Sequence, residues 1–279
     1  MALFTVFGSP IKQSLSPQIH RAFADEFGLL NEYSRSLSSP GRFAGAVAQF
    51  FRRGGAGANV TMPFKDAAFA LVTHTTARAR EAAAVNTLIP LGHGQLLGDS
   101  TDGLGLYHDL RRLQPAALAG RMVTVIGAGG AARSAIHSLL ALADVAQVQV
   151  LNRTPAKAAT IVADCVAQYG ATRCQLGDWH APLPTALIIN ATGAALQGQQ
   201  LVLPNALWAE AEVAYDMTYA AEPTAFMQSA SYAGVALVSD GLGMLVEQAA
   251  LSFALWHDGL MPRTAPVLAQ LRQLLTEDA

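Results

Sequence analysis

The sequence predicts an α/β protein with largely parallel sheets, divided between two domains. Three observations lead there. Short apolar runs alternate with helical stretches almost from end to end, the order that builds parallel sheets covered by helices. One run, MVTVI at 122–126, is continuous, as a strand buried on both faces requires, and it opens into a glycine-rich turn. The length, 279 residues, exceeds one ordinary domain.

In order, Leu3–Gly8 reads as a strand and Ser16–Phe27 as a helix. Tyr33–Leu37 is the next strand, Arg42–Arg53 the next helix, and Ala58–Thr61 a short strand. Pro63 suits the first turn of a following helix, where its missing N–H costs nothing. Val85–Ile89 and Leu96–Gly98 flank Gly92-His93-Gly94, a hairpin signal. Thr101 caps a helix that runs to Leu113, and residues 101–120 are the expected connection between domains. After MVTVIG a helix runs to Leu142, then come strand Val148–Leu151 and helix Pro155–Tyr169. Thr185–Asn190, Val213–Tyr215 and Val235–Val238 read as strands, and Pro223–Tyr232, Leu242–His257 and Pro266–Leu275 as helices.

Composition narrows the class. With 52% hydrophobic and 14% charged residues the chain buries a large core and is not disordered. A formal charge of −2 without a basic block argues against nucleic acid and against a polybasic membrane patch. The N-terminus lacks the basic region of a signal peptide, and Leu242–Trp256 is too short to span a bilayer. Cys165 and Cys174 form neither a CxxC nor a metal pattern, so no metal is expected and both read as reduced thiols of a cytoplasmic protein.

The strongest motif is VIGAGGAARSA at 125–135. It lies between a strand and a helix, the setting in which GxGxxG/A binds a dinucleotide. Gly127 permits the tight turn, Gly129 lets the backbone approach a pyrophosphate, and Ala132 takes the third small position. The helix N-terminus then offers N–H groups and partial positive charge to phosphates. At the end of the next strand, where NAD enzymes place an acid, stand Asn152, Arg153 and Thr154, with Lys157 a turn later. Guanidinium, hydroxyl and amide suit a 2′-phosphate, so the cofactor expected is NADP(H).

Three further loops are polar: SPIKQSLSP at 9–17, GANVTMPFKD at 57–66 and DSTDG at 99–103. Ser14 and Ser16, with the helix start behind them, suit a carboxylate. Taken singly, Ser16 or Asp102 is a helix cap and Lys65 a surface charge; their joint presence points to a site. Asp66 adjoins Lys65, but neighbouring helical residues do not face each other, so it is expected in solvent. His20, His93 and His257 read as packing, turn or surface residues.

VFGSPIKQSLSPQIH, GANVTMPFK, AVNTL, GDSTDGLG, GAGGAAR, NRT, NAT, YDMTY and DGLGMLVEQAA follow one another from residue 6 to about residue 250. In this the chain resembles the NADP-dependent shikimate dehydrogenases. The resemblance implies reversible reduction of 3-dehydroshikimate to shikimate by NADPH, on the route to chorismate and the aromatic amino acids. It implies a discontinuous substrate domain with a mixed sheet, residues 1–101 and 237–279, and a Rossmann-like NADP domain, residues 102–236, with the active site in the cleft. Ser14 and Ser16 would bind the substrate carboxylate, and Thr61, Asn86 and Gln248 the ring hydroxyls, with Asn59 in support and Tyr219 closing over them. Lys65 and Asp102 would be the catalytic pair. Gly127, Ala128, Gly129, Gly130, Ala131, Asn152, Arg153, Thr154, Lys157, Thr192, Met217 and Gly241 would line the cofactor. Partners would be the small-molecule substrate alone, in a monomer or homodimer. Two departures stand out: Gly193-Ala194-Ala195 follows NAT, where the family commonly has serine and a nearby glycine, and Ala77 replaces a frequent acid.

Lys65 is the natural proton donor, with three N–H donors and a charge that stabilises a developing oxyanion. Asp102 would raise its pKa and burial would lower it, so the two are expected to titrate as a pair. Three alternatives remain open: a quinate/shikimate dehydrogenase of broader specificity, which the NRT stretch disfavours; a two-domain dehydrogenase acting on folate or an amino-acid derivative, which would not need Ser14, Ser16, Lys65 and Asp102 together; and a non-catalytic NADP-binding regulator, which would not need the catalytic pair.

Overall fold

A computed structural model describes residues 1–277 except 115, 117, 143 and 194–200. The chain forms two compact units: Met1–Gly105 with Val246–Gln270, and Leu106–Leu245 with Leu271–Ala279. The compact units divide after Gly105 and after Leu245, and the described residues from Leu271 onward go with the second unit. Two contacts explain this. Leu237–Ser239 pairs with Val213–Tyr215 and stays with that sheet. Arg272 meets both carboxylate oxygens of buried Asp240, Nη1 lying 2.6 Å from Oδ2.

In the first unit, strand β1 (Ala2–Gly8) leads through helix α1 (Ser16–Glu26) to β2 (Asn31–Leu37). Helix α2 (Phe43–Arg52), β3 (Gly55–Val60), α3 (Lys65–Leu71), β4 (His74–Thr75) and α4 (Ala77–Ala82) follow. Then come β5 (Thr87–Gly92), β6 (Gln95–Asp99) and the start of α5 (Asp102–Leu113). The sheet order is β2-β1-β3-β5-β6-β4. It is mixed, because β5 runs antiparallel to both β3 and β6 while the other pairs are parallel. The β5–β6 hairpin turns at His93 and Gly94, both with positive φ, the backbone that a tight two-residue turn needs. A core of Phe7, Phe43, Val47, Phe64 and Leu88 fills one face. A Cβ on Gly57 would lie 2.4 Å from the Trp256 indole, so this strand position has room for glycine alone. Pro63 differs from expectation: it precedes α3, in a turn after a cis Met62–Pro63 bond.

In the second unit, β7 (Met122–Ile126), α6 (Gly130–Leu142), β8 (Gln147–Leu151), α7 (Pro155–Tyr169) and β9 (Cys174–Leu176) build one half. The other half has β10 (Leu187–Asn190), β11 (Val213–Asp216), α8 (Ala225–Tyr232) and β12 (Leu237–Ser239). Helices α9 (Leu242–Trp256) and α10 (Thr264–Glu277) complete the chain. The sheet is all parallel, ordered β12-β11-β10-β7-β8-β9, so strand order reverses between β7 and β10. That is the doubly wound topology, and its ligand crevice lies at the carboxyl ends of the strands at this switch point. Val123, Val125, Val148 and Val150 pack against Ile136, Leu139 and Ile161 on one face. Ile126, Leu151, Ile188 and Ala214 meet Leu207, Trp208 and Phe226 on the other, as continuous apolar strands dictate.

Candidate active site

The topology of the first unit collects polar residues at one end of its sheet. β1 and β3 are parallel, so the loops after them, carrying Ser14–Ser16 and Thr61–Lys65, emerge at the same edge. Asn86 precedes antiparallel β5, and Ser100 to Asp102 follow β6, which places them there too. Lys65 opens α3 and Asp102 opens α5. Lys65 Nζ donates to Asp102 Oδ2 at 2.6 Å. The pair is largely buried, with side-chain exposures of 21% for Lys65 and 7% for Asp102.

Main-chain groups fix the orientation of the amides around this pair. The Thr101 N–H can only donate, and it donates to Asn86 Oδ1 at 2.9 Å. Asn86 Nδ2 is therefore turned toward Asp102 Oδ1 at 2.9 Å and Gln248 Oε1 at 3.1 Å. Gln248, on α9, consequently spends its carbonyl inside the network. Asn59 is fixed in the same way: its Nδ2 donates to the Asn86 carbonyl at 3.1 Å, leaving Oδ1 to accept from Tyr33 Oη at 2.7 Å. Ser252, fully buried, joins Asn59, Thr87 and Thr101 at 3.1, 2.8 and 3.2 Å. Thr101 thus spends its hydroxyl on the network, although the sequence suggested a helix cap.

The two serines adjoin each other. Ser14 Oγ donates to Ser16 Oγ at 3.2 Å, and the Ser16 N–H donates back to Ser14 Oγ at 3.3 Å. Thr61, half-buried, sits at the end of β3, where its methyl would meet any Cβ on Gly8 at 2.5 Å. Asp66 is exposed, as its place beside Lys65 suggested. Tyr219 is the expected substrate residue that lies outside this unit, in the turn after β11. Asp216 shapes that turn: its oxygens accept from the Thr218 N–H at 2.9 Å and from Thr224 Oγ1 at 2.6 Å. Burial raises the Asp216 carboxyl above the usual range, and those hydrogen bonds oppose the rise.

In the second unit a cavity of about 230 Å³ opens at the ends of β7, β8 and β10. Gly127, Ala128, Gly129, Asn152, Arg153 and Thr192 border it, together with Trp179, Gly193 and Leu201. Gly127 has φ +127° and donates to the Leu151 carbonyl at 2.8 Å, and a Cβ there would crowd the Ala191 carbonyl at 3.1 Å. At Gly129 no atom lies within 4 Å of where a Cβ would stand, so the turn presents bare backbone to the cavity. Open backbone at a helix start, with a guanidinium at the neighbouring strand end and no carboxylate on the cavity wall among the described residues, fits a phosphorylated dinucleotide. Asn152 Nδ2 braces the turn by donating to the Thr154 carbonyl at 2.8 Å, and the Thr154 side chain makes no capping bond to α7. Gly130 and Ala131 begin α6, and Lys157 is exposed on α7. Thr192 donates from both N and Oγ1 to Asn190 Oδ1, at 3.1 and 2.7 Å. Met217 and Gly241 abut each other: a Cβ on Gly241 would lie 2.3 Å from the Met217 carbonyl oxygen. Ala194 and Ala195 lie outside the described residues, and Ala77 opens α4.

A doubly wound sheet with a glycine turn at its switch point, in one chain with a buried Lys–Asp pair among fixed amides, defines a dinucleotide-dependent dehydrogenase. Comparison with known proteins narrows the class. The family model for the shikimate dehydrogenase substrate binding domain matches residues 6–88, that for shikimate / quinate 5-dehydrogenase residues 110–203, and that for the shikimate 5'-dehydrogenase C-terminal domain residues 241–272. A protein of Idiomarina loihiensis named shikimate dehydrogenase (NADP(+)) is 46% identical over 271 residues, 96% of each chain. Among solved structures, an Ael1 enzyme from Pseudomonas putida superposes with a TM-score of 0.88 at 35% identity, over 97% of this chain and 98% of that one. Shikimate 5-dehydrogenase of Thermus thermophilus, solved in complex with NADP(H) and shikimate, gives 0.81 at 30% identity, over 98% and 99%. The chain belongs to the shikimate dehydrogenase family.

Sequence reasoning passed over Tyr33, Asp99, Trp179 and Ser252. Ser252 follows Gln248 by four residues, one helical turn on the same face, and that spacing was the available signal. Asp99 lies in the DSTDG loop; it accepts from Thr76 Oγ1 at 2.7 Å, Arg78 Nε at 2.6 Å and the Ser100 N–H at 2.7 Å, anchoring the approach to Asp102. Trp179 lies in an irregular segment with no periodicity to mark it.

Proposed function

We propose that this chain catalyses the reversible, NADP-dependent interconversion of shikimate and 3-dehydroshikimate, in the synthesis of chorismate and the aromatic amino acids. The observation that carries the reading is the Lys65–Asp102 pair, closed at 2.6 Å and oriented by Asn86. The names borne by the relatives support it.

NADP(H), held at the glycine turn and Arg153, supplies the hydride acceptor or donor. Ser14 and Ser16 bind the substrate carboxylate through charge-assisted hydrogen bonds. Thr61, Asn86 and Gln248 hold the ring hydroxyls, Asn59 keeps Asn86 in place, and Tyr219 is a further substrate residue. In the reductive direction Lys65 Nζ gives a proton to the carbonyl oxygen as negative charge grows there, and Asp102 stabilises the ammonium beforehand. In the oxidative direction the pair takes the hydroxyl proton. Thr192, Met217 and Gly241 complete the cofactor walls, with Thr154 and Lys157 beside Arg153. A cytoplasmic location and a monomeric or homodimeric state belong to the same proposal; the two buried thiols, both unbridged, suit the location.

The test is spectrophotometric. NADPH formation is followed with shikimate and, in parallel, with quinate, using NADP and then NAD. Turnover of shikimate with NADP at a kcat/KM at least about tenfold above the other three combinations is the expected result. Equal rates with quinate, or a preference for NAD, would sink the reading.

A further inference from the structure

The edge strand β2 reaches the carboxylate loop at Ser14. Side chains two residues apart on a strand share a face, and Tyr33 and Arg35 are so spaced. Arg35 donates to the Ser14 carbonyl oxygen from Nε at 2.9 Å and from Nη2 at 2.6 Å, and Nη2 also reaches Gln18 Oε1 at 3.1 Å. Tyr33 donates its single hydroxyl hydrogen to Asn59 Oδ1 at 2.7 Å. The Asn59 amide cannot reverse, because its Nδ2 is committed to the Asn86 carbonyl. Ser14 Oγ in turn donates to Ser16 Oγ at 3.2 Å. Buried His20 stacks on the Tyr33 ring at 4.4 Å and 6° between planes, which holds the phenol in register.

We propose that Arg35 is a positioning residue for the substrate carboxylate, acting through Ser14. This rests on the reading of Ser14 and Ser16 as carboxylate ligands. Two hydroxyls on a loop lose side-chain freedom when they close on an anion, and a site that has fixed them beforehand binds more tightly. Arg35 pins the main chain of Ser14 and sets a permanent positive charge behind the pair.

The test compares wild type, Arg35→Met and Arg35→Lys on shikimate and on its methyl ester, at saturating NADP. Arg35→Met removes both hydrogen bonds to the Ser14 carbonyl, so KM for shikimate should rise about threefold to tenfold. Neither kcat nor KM for NADP should change more than about twofold, since neither depends on the uniform binding that is lost. Arg35→Lys should restore part of the loss. With the methyl ester, which lacks the charge, the variants should differ from wild type by less than about twofold in kcat/KM. Equal losses for acid and ester would make Arg35 a packing element and overturn the proposal, as would an unchanged KM for the acid. A wild type inert toward shikimate would overturn the proposed function, a separate outcome visible before any variant is made.

Discussion

Asp102→Asn exchanges one carboxylate oxygen for an NH2 group at a position that has a donor on each side. Lys65 Nζ lies 2.6 Å from Oδ2 and Asn86 Nδ2 lies 2.9 Å from Oδ1. Asn86 cannot turn to present its oxygen, because the Thr101 N–H holds that oxygen at 2.9 Å. Whichever way the new amide rotates, its NH2 therefore faces a nitrogen donor. An ion-paired bond is lost and a buried donor is left without an acceptor, each about 1–3 kcal/mol. Lys65 is 21% exposed and recovers part of its loss by turning to water, so the expected net destabilisation is about 1–3 kcal/mol. The same change removes the anion that stabilises the Lys65 ammonium, and kcat should fall about 10²–10⁴-fold. Lys65→Met is the companion variant. It should lower kcat over the same range with a smaller change in stability, because Asp102 keeps Asn86 and meets no new donor. The assays are kcat with saturating shikimate and NADP, and urea denaturation of each protein. An Asp102→Asn protein as stable as wild type would refute the amide orientations, and one keeping more than about a tenth of wild-type kcat would remove Asp102 from the proton chemistry.

Ser16→Ala should raise KM for shikimate about 10–100-fold with kcat little changed, since a hydrogen bond to an ionised group contributes about 1.5–3 kcal/mol; an unchanged KM places the carboxylate elsewhere. Arg153→Ala should cut the preference for NADP over NAD, read as a ratio of kcat/KM, by one to two orders of magnitude on the same arithmetic, with NAD nearly unaffected; equal losses for both coenzymes would make Arg153 a structural residue. Burial holds the His20 imidazole down at about 3, against about 6.5 for an unfolded chain. A lowered folded pKa means that the unfolded chain takes up the proton first, so stability is full above about pH 6.5 and declines as pH falls toward 3. Between about pH 7 and about pH 5 that amounts to about 2 kcal/mol, and the slope of urea-derived stability over this range should flatten in His20→Phe; an equal slope in the variant would show that His20 is not the group titrating.

The elements written in continuous apolar residues were legible. MVTVI became β7 and the glycine turn after it fell at the switch point, because a strand buried on both faces has little other composition available to it. The short elements were not. α4 buries only Ala79 and Ala82, side chains too small to raise a periodic signal; its legible mark was Thr76, whose hydroxyl accepts from the Ala79 N–H at 3.3 Å. β9 has three residues and buries one of them, Cys174, and β4 has two residues, held by pairing with β6. The C-terminal helix was recognised as a helix, but which unit its end joins depends on an ion pair between Arg272 and Asp240, thirty-two residues apart. Nothing local to either residue announces that pair.

The site divides along a similar line. Motifs gave the identities of Lys65, Asn86, Asp102 and Gln248, but identity leaves open which atom of an amide faces the ligand. That choice is made by main-chain groups supplied from elsewhere: the Thr101 N–H for Asn86 and, for Asn59, the Asn86 carbonyl. One commitment then forces the next. Asn86 must give its NH2 to Asp102 and Gln248, and Gln248 must give its carbonyl to Asn86. Asp102 is in turn held as an acceptor on both sides, and this fixes the direction of Lys65 Nζ. On the proposed function, a substrate oxygen placed against Lys65 Nζ meets a donor. An ammonium or amide N–H in the same place would face donor against donor, at a cost of about 1–3 kcal/mol. The proposed site would on that ground favour an oxygen there over an amine.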